Sequence, residues 1–132
     1  MKTLTLDYKK WRCGSYGGKD TAHGRGSTNL LNKEGYMCCL GQFSTQLNPK
    51  VKLKDILNIS APSCLDKLIP ALSKNKLDVQ DTNLSDSAMA INDDSNISIE
   101  QKIKKLKSLF QKKGYRIKVT NLPKTLANKI KN

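Results

Sequence analysis

No run in this chain approaches the roughly 18 consecutive apolar residues that a membrane-spanning helix needs. Aromatic residues are scarce at 5%, with a single Trp, and the apolar fraction of 37% is lower than a globular domain usually carries. At 132 residues such a composition supports one modest core, so part of the buried surface is expected to come from a partner subunit. Met1 to Asp7 lacks the apolar run of roughly 7–15 residues that marks a secretory leader, and a cytoplasmic location is expected. There is one histidine, His23, and no C-x2-C pair among Cys13, Cys38, Cys39 and Cys64, which argues against a zinc site. Adjacent cysteines bridge poorly because their Cβ atoms diverge, so reduced thiols are expected.

Acids are just as unevenly distributed. Residues 102–131 hold eleven Lys or Arg and no acid, whereas residues 78–100 hold six acids and no base. Residues 1–35 carry seven bases against three acids, and the net charge is +13. Such an excess repels itself within a compact fold, and a polyanionic partner relieves the repulsion.

Hydrophobic periodicity predicts an α+β domain over 1–120, followed by a basic tail over 121–132. Thr3 to Asp7 alternates and reads as a first strand, with Asp7 capping a single turn through Trp11. Cys13 to Gly26 holds five of the eight glycines and reads as a loop. Ser27 to Leu31 reads either as a helix start or as a short strand, and Asn32 to Gly35 as a turn. Tyr36 to Leu47 carries Met37, Leu40, Phe43 and Leu47 at helical spacing and reads as a buried helix that Asn48-Pro49 ends. Leu53 to Ile59 suggests a helical turn that Pro62 breaks. Leu65, Leu68, Ile69 and Leu72 suggest a helix despite Pro70, and Asn75 to Thr82 reads as loop.

Further on, Ser85 is expected to cap a helix through Asn92, burying Ala88, Met89 and Ile91. Ser98 and Gln101 form a capping box for a helix that buries Ile99, Ile103, Leu106 and Phe110 and stops at Gly114. Its lysines, from Lys102 through Lys107, read as a solvated face. Tyr115 to Thr120 alternates as a second strand, expected to join the first in a short antiparallel or mixed sheet under three to five helices. The tail is expected to fray, although Leu122, Leu126 and Ile130 allow a short docked helix.

The best binding candidate lies in the glycine loop. Arg25, Gly26, Ser27 and Thr28 combine backbone N–H groups, a guanidinium fork and two hydroxyls, a set suited to phosphate although it is not a Walker loop. Trp11 and Arg12 offer a ring to stack a base and a cation for its phosphate, and Tyr16 is a second ring. A sole Trp in a small domain is more often core. Cys38 and Cys39 read as small buried hydrophobes. Asp93 and Asp94 read as helix-start acids rather than catalytic carboxylates. No catalytic set, metal site or cofactor is expected.

Trp11-Arg12-x-Gly14, Ser27-Thr28-x-Leu30-Leu31, Gly35-x-Met37-Cys38-Cys39-Leu40-Gly41 and Ala90-Ile91-Asn92-Asp93-Asp94 occur in this order. The pattern resembles a family of small, uncharacterised bacteriophage-encoded proteins and spans most of residues 3–120, with no matching motif in 50–82. The resemblance implies a phage accessory protein. Small phage proteins of this kind often oppose host defence, and one class sequesters the cyclic nucleotides that carry the host's immune signal. The expectation is a homo-oligomeric sponge in the host cytoplasm that holds a cyclic dinucleotide without turning it over. Two alternatives come from other classes: a nucleic-acid-binding accessory protein that uses the last helix and tail, and an inhibitor of a host protein.

Overall fold

The computed structural model describes residues 1–60, 65, 69 and 84–130. Cys64, Pro62, Pro70, Leu68, Leu72 and the loop expected over 75–82 lie outside the described residues. The fold is α+β. Strands β1 (Lys2–Asp7), β2 (Ser15–Tyr16), β3 (Lys19–Asp20) and β4 (Tyr115–Thr120) accompany helices α1 (Cys39–Leu47), α2 (Leu84–Asn92), α3 (Ile99–Gln111) and α4 (Lys124–Ala127).

The two alternating segments at the ends of the chain pair as expected, but β1 and β4 run parallel, Leu4 opposite Ile117 and Leu6 opposite Val119. Parallel neighbours need a long crossover, and the chain between residues 8 and 114 supplies it. Leu4, Leu6, Ile117 and Val119 fill the inner face, where α1 and α3 contribute Leu40, Phe43, Ile103, Leu106 and Phe110. Phe110 meets Phe43 and Tyr115 edge-on, at ring separations of 5.1 and 6.3 Å. Among the described residues the only antiparallel strand pairing is the small β2–β3 hairpin.

The free edge of β1 is closed by side chains. Gln42 and Gln46 sit one turn apart on α1, and each pairs its carboxamide with a strand peptide. Gln42 accepts from the Asp7 N–H at 2.7 Å and donates to the Asp7 carbonyl at 3.0 Å. Gln46 does the same for Thr5, at 2.7 and 2.8 Å. An exposed strand edge invites pairing with another chain, and two glutamines here take the place of a third strand.

Several boundaries shift for physical reasons. Helix α1 begins at Cys39, not Tyr36, because Met37 is drawn into a bridge beside Trp11, exchanging bonds with Lys10 and Arg12. Cys38 then caps α1, its sulfur accepting from the Gly41 N–H. Ser27 to Leu31 is neither helix nor strand; Leu31 forms one bridge with Leu57. Ser85 lies inside α2 rather than at its cap. The Ser98–Gln101 capping box is present as expected. Leu53–Asp55 forms a 3-10 turn. The tail follows the docked alternative, since α4 forms and Ile130 is buried.

Of the glycines, Gly41 has the least room for a side chain. A Cβ at this position would lie 1.7 Å from the Leu30 carbonyl oxygen. Gly41→Ala is therefore expected to lower stability by roughly 2–3 kcal/mol, read as an earlier midpoint in urea. A midpoint within error of wild type would show that α1 does not lie so close to Leu30.

Candidate functional site

The sequence motifs meet inside the molecule, around Asn92. The Asn92 side-chain oxygen accepts from the Trp11 indole N–H at 2.6 Å and from the Cys39 amide at 3.0 Å. Its side-chain nitrogen donates to the Arg12 carbonyl at 3.1 Å and to Asp93 Oδ1 at 2.9 Å, with the Thr28 hydroxyl at 3.4 Å. Its backbone carbonyl accepts from Lys102 Nζ at 2.8 Å. Thr28 closes the network: its hydroxyl donates to Asp93 Oδ1 at 2.5 Å and accepts from the Gly14 N–H. Trp11, Thr28, Asn92 and Lys102 are all buried. A buried carboxamide with its donors and acceptor occupied stiffens the core, whereas the same group unpartnered would be costly.

Lys102 thus departs from the solvated face expected of it. It shares the arc of Ile99 and Leu106, and its chain carries the ammonium to the end of α2. Asp93 is consumed by Thr28 and Asn92, and Asp94 Oδ1 accepts from the Asn96 N–H at 2.9 Å. Asp93 thus serves the network rather than a helix start.

Of the seven predicted binding residues, Trp11, Arg12 and Thr28 meet at Asn92 through internal hydrogen bonds. Trp11 and Thr28 are core, with their polar atoms used internally. Arg12 lays its guanidinium 3.6 Å over the Tyr36 ring and donates to the Trp11 carbonyl. The Gly26 amide donates to the Ser15 carbonyl at 3.0 Å, as does the Arg25 amide at 3.2 Å, while the Gly24 amide donates to the Cys13 carbonyl at 2.7 Å. The expected phosphate cradle is therefore closed on the loop's own carbonyls. Tyr16, the Arg25 side chain and Ser27 remain exposed.

An alternative site lies at the tip of the β2–β3 hairpin. Gly17 and Gly18 have φ of 61° and 82°, the left-handed pair that a two-residue turn of this hand requires. Their amides donate to no group among the described residues. They border a cleft of about 400 Å³ together with Lys19, Lys33, Glu34 and Asn58. At its wall the Asp20 carboxylate is held by the side-chain nitrogens of Asn29 and Asn32, at 3.4 and 3.0 Å. Tyr16 stands directly across from Lys19 in the hairpin and is 78% exposed. Directly opposed residues share one face, so the ring stands beside a cation and two free amides. The sequence signal for this site was Tyr16-Gly17-Gly18-Lys19, a hairpin-turn signature read only as loop.

The three described thiols, Cys13, Cys38 and Cys39, are buried. Desolvation pushes Cys13 and Cys38 up to about 12 and Cys39 well above its ordinary value of 9.0. Among the described residues no group of three or more His, Cys, Asp or Glu is placed to hold a metal ion. No described helix is long and apolar enough to cross a membrane.

Comparison with known proteins finds no matching family model, no similar curated protein and no similar solved structure.

Asn92→Ala strips the Trp11, Cys39 and Arg12 partners at once. It is expected to lower stability by roughly 3 kcal/mol or more, measured by urea unfolding; a loss below about 1 kcal/mol would mean the network is replaceable by water. The thiols give a second expectation. Cys13, Cys38 and Cys39 should resist alkylation in the folded protein at pH 8 and react after denaturation, as peptide mapping would show. Because the folded pKa lies above the unfolded one, the thiol contribution to stability is complete below pH 9 and is lost as pH rises toward 12. Alkylation of the native protein at the unfolded rate would contradict this burial.

Proposed function

We propose that this protein captures a phosphate-bearing nucleotide at the hairpin cleft and performs no chemistry on it. The observation that carries the reading is the set formed by the free Gly17 and Gly18 amides, Lys19 and Lys33 around a cleft of about 400 Å³ that Asp20 and Glu34 also line, with the exposed Tyr16 opposite Lys19 in the hairpin. Amides and ammonium groups suit a phosphate, and a phenol ring suits the face of a base. Capture without turnover is supported by the protonated, buried thiols and by the engagement of Asp93 within the core.

The ligand class proposed is a cyclic nucleotide, foremost a cyclic dinucleotide, and the role is a phage-encoded sponge that lowers a host immune signal in the host cytoplasm. The motif order around Trp11, Thr28, Cys38-Cys39 and Asn92 supports the phage origin. The proposed assembly is a homo-oligomer. Leu57, exposed next to the cleft residue Asn58, and Leu53 give a second subunit apolar ground. A solution mass equal to one chain would remove the oligomer from the proposal.

Calorimetry with a panel of cyclic mono- and dinucleotides tests the reading. At least one is expected to bind with micromolar or tighter affinity. Replacing Lys19 and Lys33 by Ala together should weaken it by roughly tenfold, about 1.4 kcal/mol. Tyr16→Ala should cost about 1–3 kcal/mol of stacking. Absence of heat with every nucleotide at micromolar protein would defeat the proposal.

A further inference from the structure

The outer face of the β1–β4 sheet is charged, exposed and unused by the hairpin cleft. Strand alternation turns Leu4, Leu6, Ile117 and Val119 inward and leaves Thr3, Thr5, Arg116 and Lys118 outward. The parallel register sets Thr3 beside Arg116 and Thr5 beside Lys118. Arg116 and Lys118 are exposed and have no partner among the described residues. A groove of about 280 Å³ is lined by Thr3, Arg116, Ile117 and Lys118. The sole carboxylate on either strand is Asp7, at the far end of β1 and occupied by the Lys9 amide and the Asn121 side chain.

Charge alone would describe many basic surfaces. What distinguishes this face is its alignment. Arg116 and Lys118 are two residues apart on one straight strand, about 6.6 Å along it, with a row of hydroxyls alongside on the neighbouring strand. A row of cations flanked by neutral donors matches one phosphodiester chain running along the strands. The face is only two strands wide, about 5 Å between strand axes, which suits a single backbone rather than the two of a duplex.

We propose that the outer face of the β1–β4 sheet binds the phosphodiester backbone of a single-stranded nucleic acid, with Arg116 and Lys118 on successive phosphates and Thr3 and Thr5 as hydroxyl donors. The site stands apart from the hairpin cleft and does not depend on it. It also differs in its residues from a surface made by the last long helix and the tail. Contacts to phosphate carry no sequence information, so binding is indifferent to base identity and sensitive to salt.

Fluorescence anisotropy with labelled oligothymidylate, oligoadenylate and a mixed-sequence duplex tests this, at about 50 and about 200 mM salt. Both single strands are expected to bind with similar affinity and to weaken as salt rises. Arg116→Ala with Lys118→Ala should weaken them roughly tenfold at the lower salt. The double variant should also flatten the dependence of log affinity on log salt by about 1.4, two contacts at about 0.7 each. Both positions are exposed, and an unchanged thermal melt would confirm that the variant is folded. Lys104→Ala with Lys105→Ala, and Lys19→Ala with Lys33→Ala, should leave the affinity within about twofold. The proposal is overturned if the wild type binds no single strand, if the Arg116/Lys118 variant binds like wild type, if the helix variant loses as much, or if the duplex binds more tightly.

Discussion

The described part of the structure is organised by a single buried carboxamide. Asn92 ends α2 and there joins the turn after β1, the start of α1, the base of the glycine loop through Thr28, and α3 through Lys102. Few side chains can take this place. The site asks for two accepted bonds on one atom and donation from an adjacent one, in a fixed plane, among groups that cannot turn to water. An aspartate would face the Arg12 carbonyl and Asp93 with lone pairs; a leucine would leave the Trp11 indole and the Cys39 amide without acceptors. With few aromatics for a larger core, a polar network at its centre supplies the specificity that packing volume alone would not.

The same network explains why the glycine loop is not the binding element its composition suggests. Thr28 is drawn inward by Asp93 and Gly14, and the amides from Gly24 to Gly26 fold back onto Cys13 and Ser15. Glycine is needed at Gly14 because a Cβ would meet the Gly24 carbonyl oxygen at 2.3 Å, and the backbone there has φ of +88°. Close approach of backbone to backbone, rather than of backbone to ligand, accounts for it. Only the hairpin tip escapes this closure, where Gly17 and Gly18 keep their amides outward. That contrast is what moves the candidate site some residues earlier in the chain, to a place the cations Lys19 and Lys33 also border.

Among the described residues one ion pair forms, Glu100 with Lys104 at 3.0 Å on the surface of α3. Surface pairs of this kind contribute little. Of the described acids, Asp7 serves a turn and Asn121, Asp20 two asparagines and Asp93 the core, while Glu34 lines the hairpin cleft with Lys19 and Lys33. The cations of the hairpin cleft and of the outer sheet face are left to solvent or to an anionic partner, which is why both binding proposals concern phosphate.

By itself the sequence determined the elements whose causes are local. The alternation in β1 and β4, the Ser98–Gln101 box and apolar arc of α3, the Asp7 and Asn32 turns, and the burial of Cys38 and Cys39 each follow from residues within a few positions of one another. Only the tertiary structure decided the strand direction, the start of α1, the burial of Lys102 and the fate of Trp11 and Thr28. Those depend on partners tens of residues away: Met37 is held in extended form by Lys10 and Arg12, and Trp11 finds its acceptor in Asn92. A short-range pattern cannot show which distant donor meets which acceptor. A residue type suited both to a phosphate and to a buried hydrogen bond is therefore assigned only when the chain has folded around it.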